Sequence, residues 1–247
     1  MKKIIIAITL LCSIFIIQGC KEDMDLQPQD YFKGTQLEIA KTIYDGDERR
    51  LDKVLPTVSE DDLNRPAKAE ITLLFWAINN AIYDNATPER LQIITDLIKA
   101  GADPLQPRPA GKSSPVEFVM KANKGVWIQA MLEAGLSPNA RDKVNNQPII
   151  FKSLQAPNTE TLKTLIKYGA NVNIKGRMNR TPLINSLYNS KIGHIEVLLD
   201  NGADPSMKDN FGDSFSSLIS AEIEKGDKAN TYIKELIKIK EKMDANH

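Results

Sequence analysis

Four short stretches decide how this chain is built: LIKAGADP (97–104), MLEAGLSPN (131–139), LIKYGANVN (165–173) and LLDNGADP (198–205). Their glycines stand at 101, 135, 169 and 202, at intervals of 34, 34 and 33 residues. Ahead of each glycine the same apolar template recurs: Ile93, Ile94, Leu97 and Ile98; Trp127, Ile128, Met131 and Leu132; Leu162, Leu165 and Ile166; Ile195, Leu198 and Leu199. Spacing of i, i+1, i+4 and i+5 is one face of a helix, and a glycine that takes the left-handed conformation stops it. Upstream, Ser114-Pro115-Val116, Gln147-Pro148-Ile149 and Thr181-Pro182-Leu183 follow the same period. Each proline falls where an opening helix tolerates a missing N–H. Every unit therefore reads as helix, turn, helix, glycine stop and projecting loop, with an apolar face that only a stacked neighbour can cover.

Both ends carry weakened copies. Residues 37–55 place Leu51, Val54 and Leu55 at the repeat's spacing without the glycine, and Tyr232, Ile233, Leu236 and Ile237 repeat it before a polar tail. The expectation is an all-α array of about six helix-turn-helix units, the first and last degenerate caps. The unit opening at Ile71-Thr72-Leu73 carries an insertion at 79–88, about ten residues beyond the usual period. It is expected as a bulge between two helices, either a tolerated insertion or a recognition feature. The unit resembles the ankyrin repeat, through Thr181-Pro182-Leu183 and Asn201-Gly202-Ala203-Asp204 above all, over roughly residues 37–240. That resemblance implies an ankyrin-repeat solenoid that binds proteins, and it names no partner. The family's histidine after T-P-L is Ile184 here, so its hydrogen bond is missing in that unit; His194 falls in a core-facing slot as a packing residue, and Trp76 and Trp127 also read as core.

The first residues read as an address. Met1-Lys2-Lys3 precedes an uncharged apolar run from Ile4 to Ile17, too short for a span of about 20 residues and typical of a signal peptide. The run ends in Ile17-Gln18-Gly19-Cys20, which resembles the bacterial lipobox. The resemblance implies cleavage after residue 19 and lipidation of Cys20, and acyl chains at about 0.8 kcal/mol per buried CH₂ hold a soluble domain at a bilayer. Lys21-Glu22 follows, with no aspartate directly after the cysteine, which by the same resemblance points to the outer membrane, facing the periplasm. Residues 20–34 are expected to be a lipidated flexible tether reaching roughly 45 Å, and residues 35–247 the repeat domain. Met24 offers an internal start for a minor cytosolic form.

Composition argues against chemistry. The chain has 32 Lys+Arg against 32 Asp+Glu, two histidines and two cysteines, so a nucleic-acid field, a zinc site and Cys-His or Ser-His catalysis all lack parts. Gly212-Asp213-Ser214-Phe215 and Asp244-Ala245-Asn246-His247 resemble the two blocks of the GDSL lipases. Yet Ser214 falls where the repeat puts a helix cap, and His247 is the last residue. Asp45-Gly46-Asp47-Glu48 looks like a fragment of a calcium loop and reads instead as an acidic turn between paired helices. No enzyme, metal or cofactor is expected, only a monomer that meets a protein partner.

The tips are where charge gathers. Windows 104–114, 138–147, 172–181 and 205–214 hold Arg108, Lys112, Arg141, Lys143, Lys175, Arg177, Arg180 and Lys208 against Asp142, Asp209 and Asp213, a surplus of five. A basic edge of this kind meets an acidic surface. Those eight cations and Phe211 are the candidate contacts, with Arg141, Arg177, Arg180 and Phe211 first because arginine and aromatic residues anchor interfaces. Lipobox plus degenerate repeats resembles the immunity lipoproteins paired with type VI secretion phospholipase effectors, which implies binding and blocking such an enzyme. The alternative is a periplasmic scaffold that docks or stabilises a protein of its own cell envelope.

Overall fold

The computed structural model describes residues 26–109 and 113–245. The leader, Cys20, Met24, Lys112 and His247 lie outside the described residues. Among the described residues there are fourteen α-helices, twelve of them paired. The pairs are α2 (Gly34–Asp45) with α3 (Glu48–Val54), α5 (Leu73–Tyr83) with α6 (Pro88–Lys99), and α7 (Pro115–Val119) with α8 (Val126–Glu133). They continue with α9 (Ile150–Ser153) and α10 (Glu160–Lys167), α11 (Pro182–Tyr188) and α12 (Ile192–Asp200), α13 (Phe215–Lys225) and α14 (Thr231–Ala245). Two short helices stand alone, α1 (Pro28–Tyr31) and α4 (Glu60–Asn64). First helices pack in one layer, α2 on α5 on α7 and α9 on α11 on α13, and second helices in another, α3, α6, α8 and α10 in sequence, then α12 on α14. The six expected units are these six pairs, and no strand forms among the described residues.

Local chemistry explains the starts and stops. Thr72, Ser114, Thr181 and Ser214 each accept, on the side-chain oxygen, the backbone N–H three residues on, the N-cap bond worth about 1 kcal/mol. Gln147 cannot cap in this way. Its carboxamide turns to the next tip to accept the Arg177 N–H, and α9 is left as a four-residue helix that starts two residues after Pro148. The glycine stops have φ of 110° at Gly101, 107° at Gly135, 90° at Gly169 and 83° at Gly202. At the last three an added Cβ would meet nothing within 4 Å, so the backbone angle alone selects glycine there.

Two boundaries differ from expectation. Residues 28–33 are not tether: α1 opens on buried Pro28, and Phe32 is only 1% exposed. Tyr31, Phe32 and Tyr44 surround Trp76 with ring centroids 5.7, 5.6 and 6.5 Å away. The aromatic pair, in a segment with no apolar period, supplies an apolar lid that covers the open end of the stack. The folded region thus begins before residue 35. The insertion at 79–88 is not a bulge either. It lengthens the helices, α5 having 11 residues against 7 in α11, and α6 having 12 against 9 in α12. The α5 sequence buries eight of its residues, Leu73 to Asn79 and Ala81, so the added turns are absorbed by packing. Arg90 at the start of α6 ties them to α2, donating to the carbonyls of Ile43 and Tyr44 while pairing with Asp84.

Candidate protein-binding surface

Two of the tips are tight hairpins shaped by an inward-turned carboxylate. Asp142 is buried and accepts the backbone N–H of Val144 (3.0 Å), Asn145 (2.5 Å) and Gln147 (3.0 Å). Asp209, one tip pair later, accepts from Phe211 (2.8 Å) and Asp213 (3.2 Å) and also takes Arg180 at 3.3 Å. Burial raises the Asp209 carboxyl, but those N–H donors and the guanidinium outweigh it and hold its pKa below the ordinary range. In the tip between them the equivalent residue is Gly176, where a Cβ would sit 2.5 Å from Gln147 Nε2 and 2.7 Å from Phe151 Cζ. A side chain there would push the neighbouring tip away.

The tips are then tied together by a ladder that no composition or charge argument anticipated. Asn64, Asn139 and Asn173 each donate from Nδ2 to the glycine carbonyl of the next unit, Gly101 (2.9 Å), Gly169 (3.2 Å) and Gly202 (3.0 Å). Each Oδ1 in turn accepts the N–H two residues past that glycine, from Asp103 (2.7 Å), Asn171 (2.7 Å) and Asp204 (2.8 Å). Leu105 stands where the junction between the second and third units would need the same residue. The detectable signal was the spacing of 34 between Asn139 and Asn173.

Much of the cationic edge is committed internally. Arg141 donates to the carbonyls of Asn146 (2.8 Å) and Lys175 (3.2 Å), and Lys175 repeats the latch on Lys208 (3.2 Å). Lys143 pairs with Asp103. Arg108 donates to the Ser113 carbonyl at 3.1 Å and lies over the Phe75 ring at 4.1 Å. Arg180 is pinned by Asp209 and stacked on Tyr188 (4.4 Å) and Phe211 (5.6 Å). Arg177 and Lys208 carry exposed side chains, and Phe211 is the most exposed large apolar residue described. Two further exposed apolar side chains on the tips, Val144 and Met178, and one at the end of α11, Tyr188, were not anticipated.

The residues that resembled catalytic parts have structural work. Ser214 caps α13 in a reciprocal box with Ser217. Asp47 caps α3 next to left-handed Gly46. His194 is buried with Nε2 3.2 Å from the Ser153 carbonyl; since a carbonyl only accepts, that nitrogen carries the proton. Burial, reinforced by the charge of Lys191, pushes its pKa down. Between α12 and α14 lies a groove of about 470 Å³ with Leu199, Ile239 and Met243 in its wall. Four of the charged residues that line it form two ion pairs, Lys242 with Asp200 at 2.7 Å and Lys238 with Glu235 at 2.8 Å, and Glu196 lines it as well. Among the described residues no group of three His, Cys, Asp or Glu could hold a metal, and no helix is long and apolar enough to cross a membrane.

Comparison with known proteins agrees with this geometry. The family model for ankyrin repeats (3 copies) matches residues 119–209. A putative ankyrin repeat protein of Acanthamoeba polyphaga mimivirus is 31% identical over 101 residues, covering 38% of this chain and 62% of that one. Alpha-latrocrustotoxin-Lt1a of Latrodectus tredecimguttatus is 26% identical over 151 residues, 61% of this chain and 10% of the toxin. An E3 ubiquitin-protein ligase of Arabidopsis thaliana is 29% identical over 87 residues, 35% of this chain and 5% of the ligase. The chain thus spans under two thirds of each of these relatives. The crystal structure of the ankyrin repeat domain of Bcl-3 superposes with a TM-score of 0.61 at 16% identity, covering 83% of this chain and 84% of that one. The fold is an ankyrin-repeat array, and ankyrin repeats form protein-protein interaction modules.

Proposed function

We propose that this ankyrin-repeat chain is an envelope-anchored immunity protein, lipidated at Cys20, that binds and blocks a type VI secretion phospholipase effector at the periplasmic face of the outer membrane. The observation that supports it best is the pre-formed tip row. Asparagine rungs and cation-to-carbonyl latches hold successive tips in register before any partner arrives, so little ordering entropy is lost on binding. Covering an active-site mouth with a standard interface of roughly 1,600 Å² requires no reactive group on the inhibitor. Because folded residues begin by Pro28, the reach from Cys20 to Pro28 is at most about 28 Å, shorter than the expected tether. The array would then stand close to the membrane it protects, which raises its effective concentration there.

The test is to titrate the purified full chain against the phospholipase encoded beside its gene. The expected result is stoichiometric inhibition, together with loss of self-protection when the gene is deleted or Cys20→Ser releases the protein from the membrane. Full lipase turnover at saturating chain, with unimpaired self-protection in the deletion strain, refutes the immunity role. Co-purification with a resident envelope protein instead would point to the scaffold.

A further inference from the structure

The exposed residues of the last three hairpin tips are not a random sample of the surface. Val144, Met178 and Phe211 occupy the same place in successive tips, 34 and 33 residues apart, and each is between 46% and 66% exposed. Tyr188, also exposed, leans back from the end of α11 onto Arg180, whose guanidinium lies 4.4 Å from that ring and 5.6 Å from Phe211. Asp209 fixes the same guanidinium from below. Single exposed apolar residues are ordinary; a row of them in register, ending in an immobilised arginine between two aromatic rings, has the make-up of an interface anchor.

Charge distribution indicates what would sit there. The acids of these tips are fewer and set back: Asp142 and Asp209 are buried against backbone N–H groups, and Asp213 is half-buried. The cations face outward. Arg177 and Lys208 have exposed side chains, and Arg141 and Lys175 bond only to neutral carbonyls, which leaves their charge uncancelled. The outward field is therefore positive around an apolar row, although Lys143 and Arg180 are neutralised by Asp103 and Asp209.

We propose that these three tips and the end of α11 form one anchor patch for a protein segment that presents a large apolar side chain flanked by carboxylates. This rests on the reading that the chain binds a protein, and it assigns the contact to the C-terminal half of the array. The apolar side chain lies against Phe211 and Met178, and the carboxylates meet Arg177 and Lys208, with the orientation set by charge complementarity.

The experiment selects a displayed random-peptide library on the immobilised full chain and measures synthetic versions of the enriched peptides. Enriched sequences are expected to place two or more Asp or Glu beside a Phe, Leu or Trp. Their affinity should fall about tenfold or more in Phe211→Ser and in the Arg177→Glu/Lys208→Glu double variant, and should weaken with added salt. It should be unchanged in Lys163→Glu on α10. An unaltered melting curve shows that Phe211→Ser still folds. No enrichment, enrichment without acidic residues, or equal affinity across the variants overturns the patch. The immunity role is read separately: a phospholipase still inhibited by Phe211→Ser and the double variant would leave that role standing and remove this one.

Discussion

The asparagine ladder predicts a graded loss of stability. Asn64 gives up the most. Its Nδ2 donates to Glu60 O at 3.0 Å and Gly101 O at 2.9 Å, its Oδ1 accepts from Asp103 at 2.7 Å, and the two contacts to the next unit are half-buried. Asn64→Ala strips the partners from an N–H and a carbonyl across a repeat junction, and at about 1 kcal/mol per bond the cost is about 2 kcal/mol. Asn139 and Asn173 make the same two inter-unit bonds at exposed positions, where water replaces part of what is lost, so each alanine should cost about 1 kcal/mol. A linear array has stability set by intrinsic unit terms plus nearest-neighbour terms. The losses should therefore appear as weakened coupling, with a shallower urea transition as well as an earlier midpoint. The assay is equilibrium urea unfolding of the full chain and the three variants by far-UV circular dichroism. Three variants within about 0.3 kcal/mol of the parent, or a loss at Asn139 that exceeds the loss at Asn64, would falsify the idea that these side chains hold the units in register.

Other positions give equally direct tests. Gly169→Ala meets no atom within 4 Å but must hold φ near 90°, so a backbone cost of about 1–2 kcal/mol is expected; an unchanged melting temperature would show that the turn relaxes freely. Trp76 donates its indole N–H to the Ala40 carbonyl at 3.0 Å, whereas the Trp127 indole nitrogen is buried with no partner among the described residues. Trp76→Phe should therefore cost about 1 kcal/mol more than Trp127→Phe in the same urea assay, and equal losses would contradict that difference. His194 is held neutral by burial, with Lys191 adding repulsion, against the Nε2–H bond to the Ser153 carbonyl, which favours the charged ring. Its folded pKa lies below the unfolded value, so above about pH 6.5 both states are neutral, while below it only the unfolded chain binds the proton and stability falls. His194→Gln should flatten the drop in urea midpoint between about pH 7 and pH 5.5, and a variant that tracks the parent over that range rules out His194 as its source.

The repeat was legible because it rests on backbone rules that do not depend on what the chain binds. Only glycine accepts φ near 90° without strain, a short polar side chain such as Ser, Thr, Asp or Asn caps a helix start, and a helix face that must be buried has to be apolar at fixed spacing. Each of these leaves a residue-type mark that recurs with the period: four units carry the glycine stop, and three of those also carry a capping hydroxyl, at Thr72, Ser114 and Thr181. What was not legible depends on where side chains end rather than where they start. Tyr31 and Phe32 lie in a segment with no apolar period, and only the presence of an uncovered Trp76 face turns them into a cap. The insertion at 79–88 looked like a loop because its length breaks the period, yet Ile78 and Ala81 bury fully once α5 runs on for another turn.

Counting charges along the tips finds a cationic surplus but not how it is deployed. Eight cations were treated alike, but a guanidinium or ammonium that bonds to a neutral carbonyl keeps its field, whereas one that meets a carboxylate loses it. Arg141 and Lys175 belong to the first kind, Lys143 and Arg180 to the second. The carboxylates follow the same rule: Asp142, aimed at three neutral backbone N–H groups, shapes its hairpin and keeps its negative charge beside the cations. Shape and charge at the edge of this array are therefore set by the same few side chains. Replacing Asp142 with Asn should disturb the Val144 hairpin and raise the positive field together, whereas Asp142→Glu keeps the charge and so tests the hairpin geometry alone.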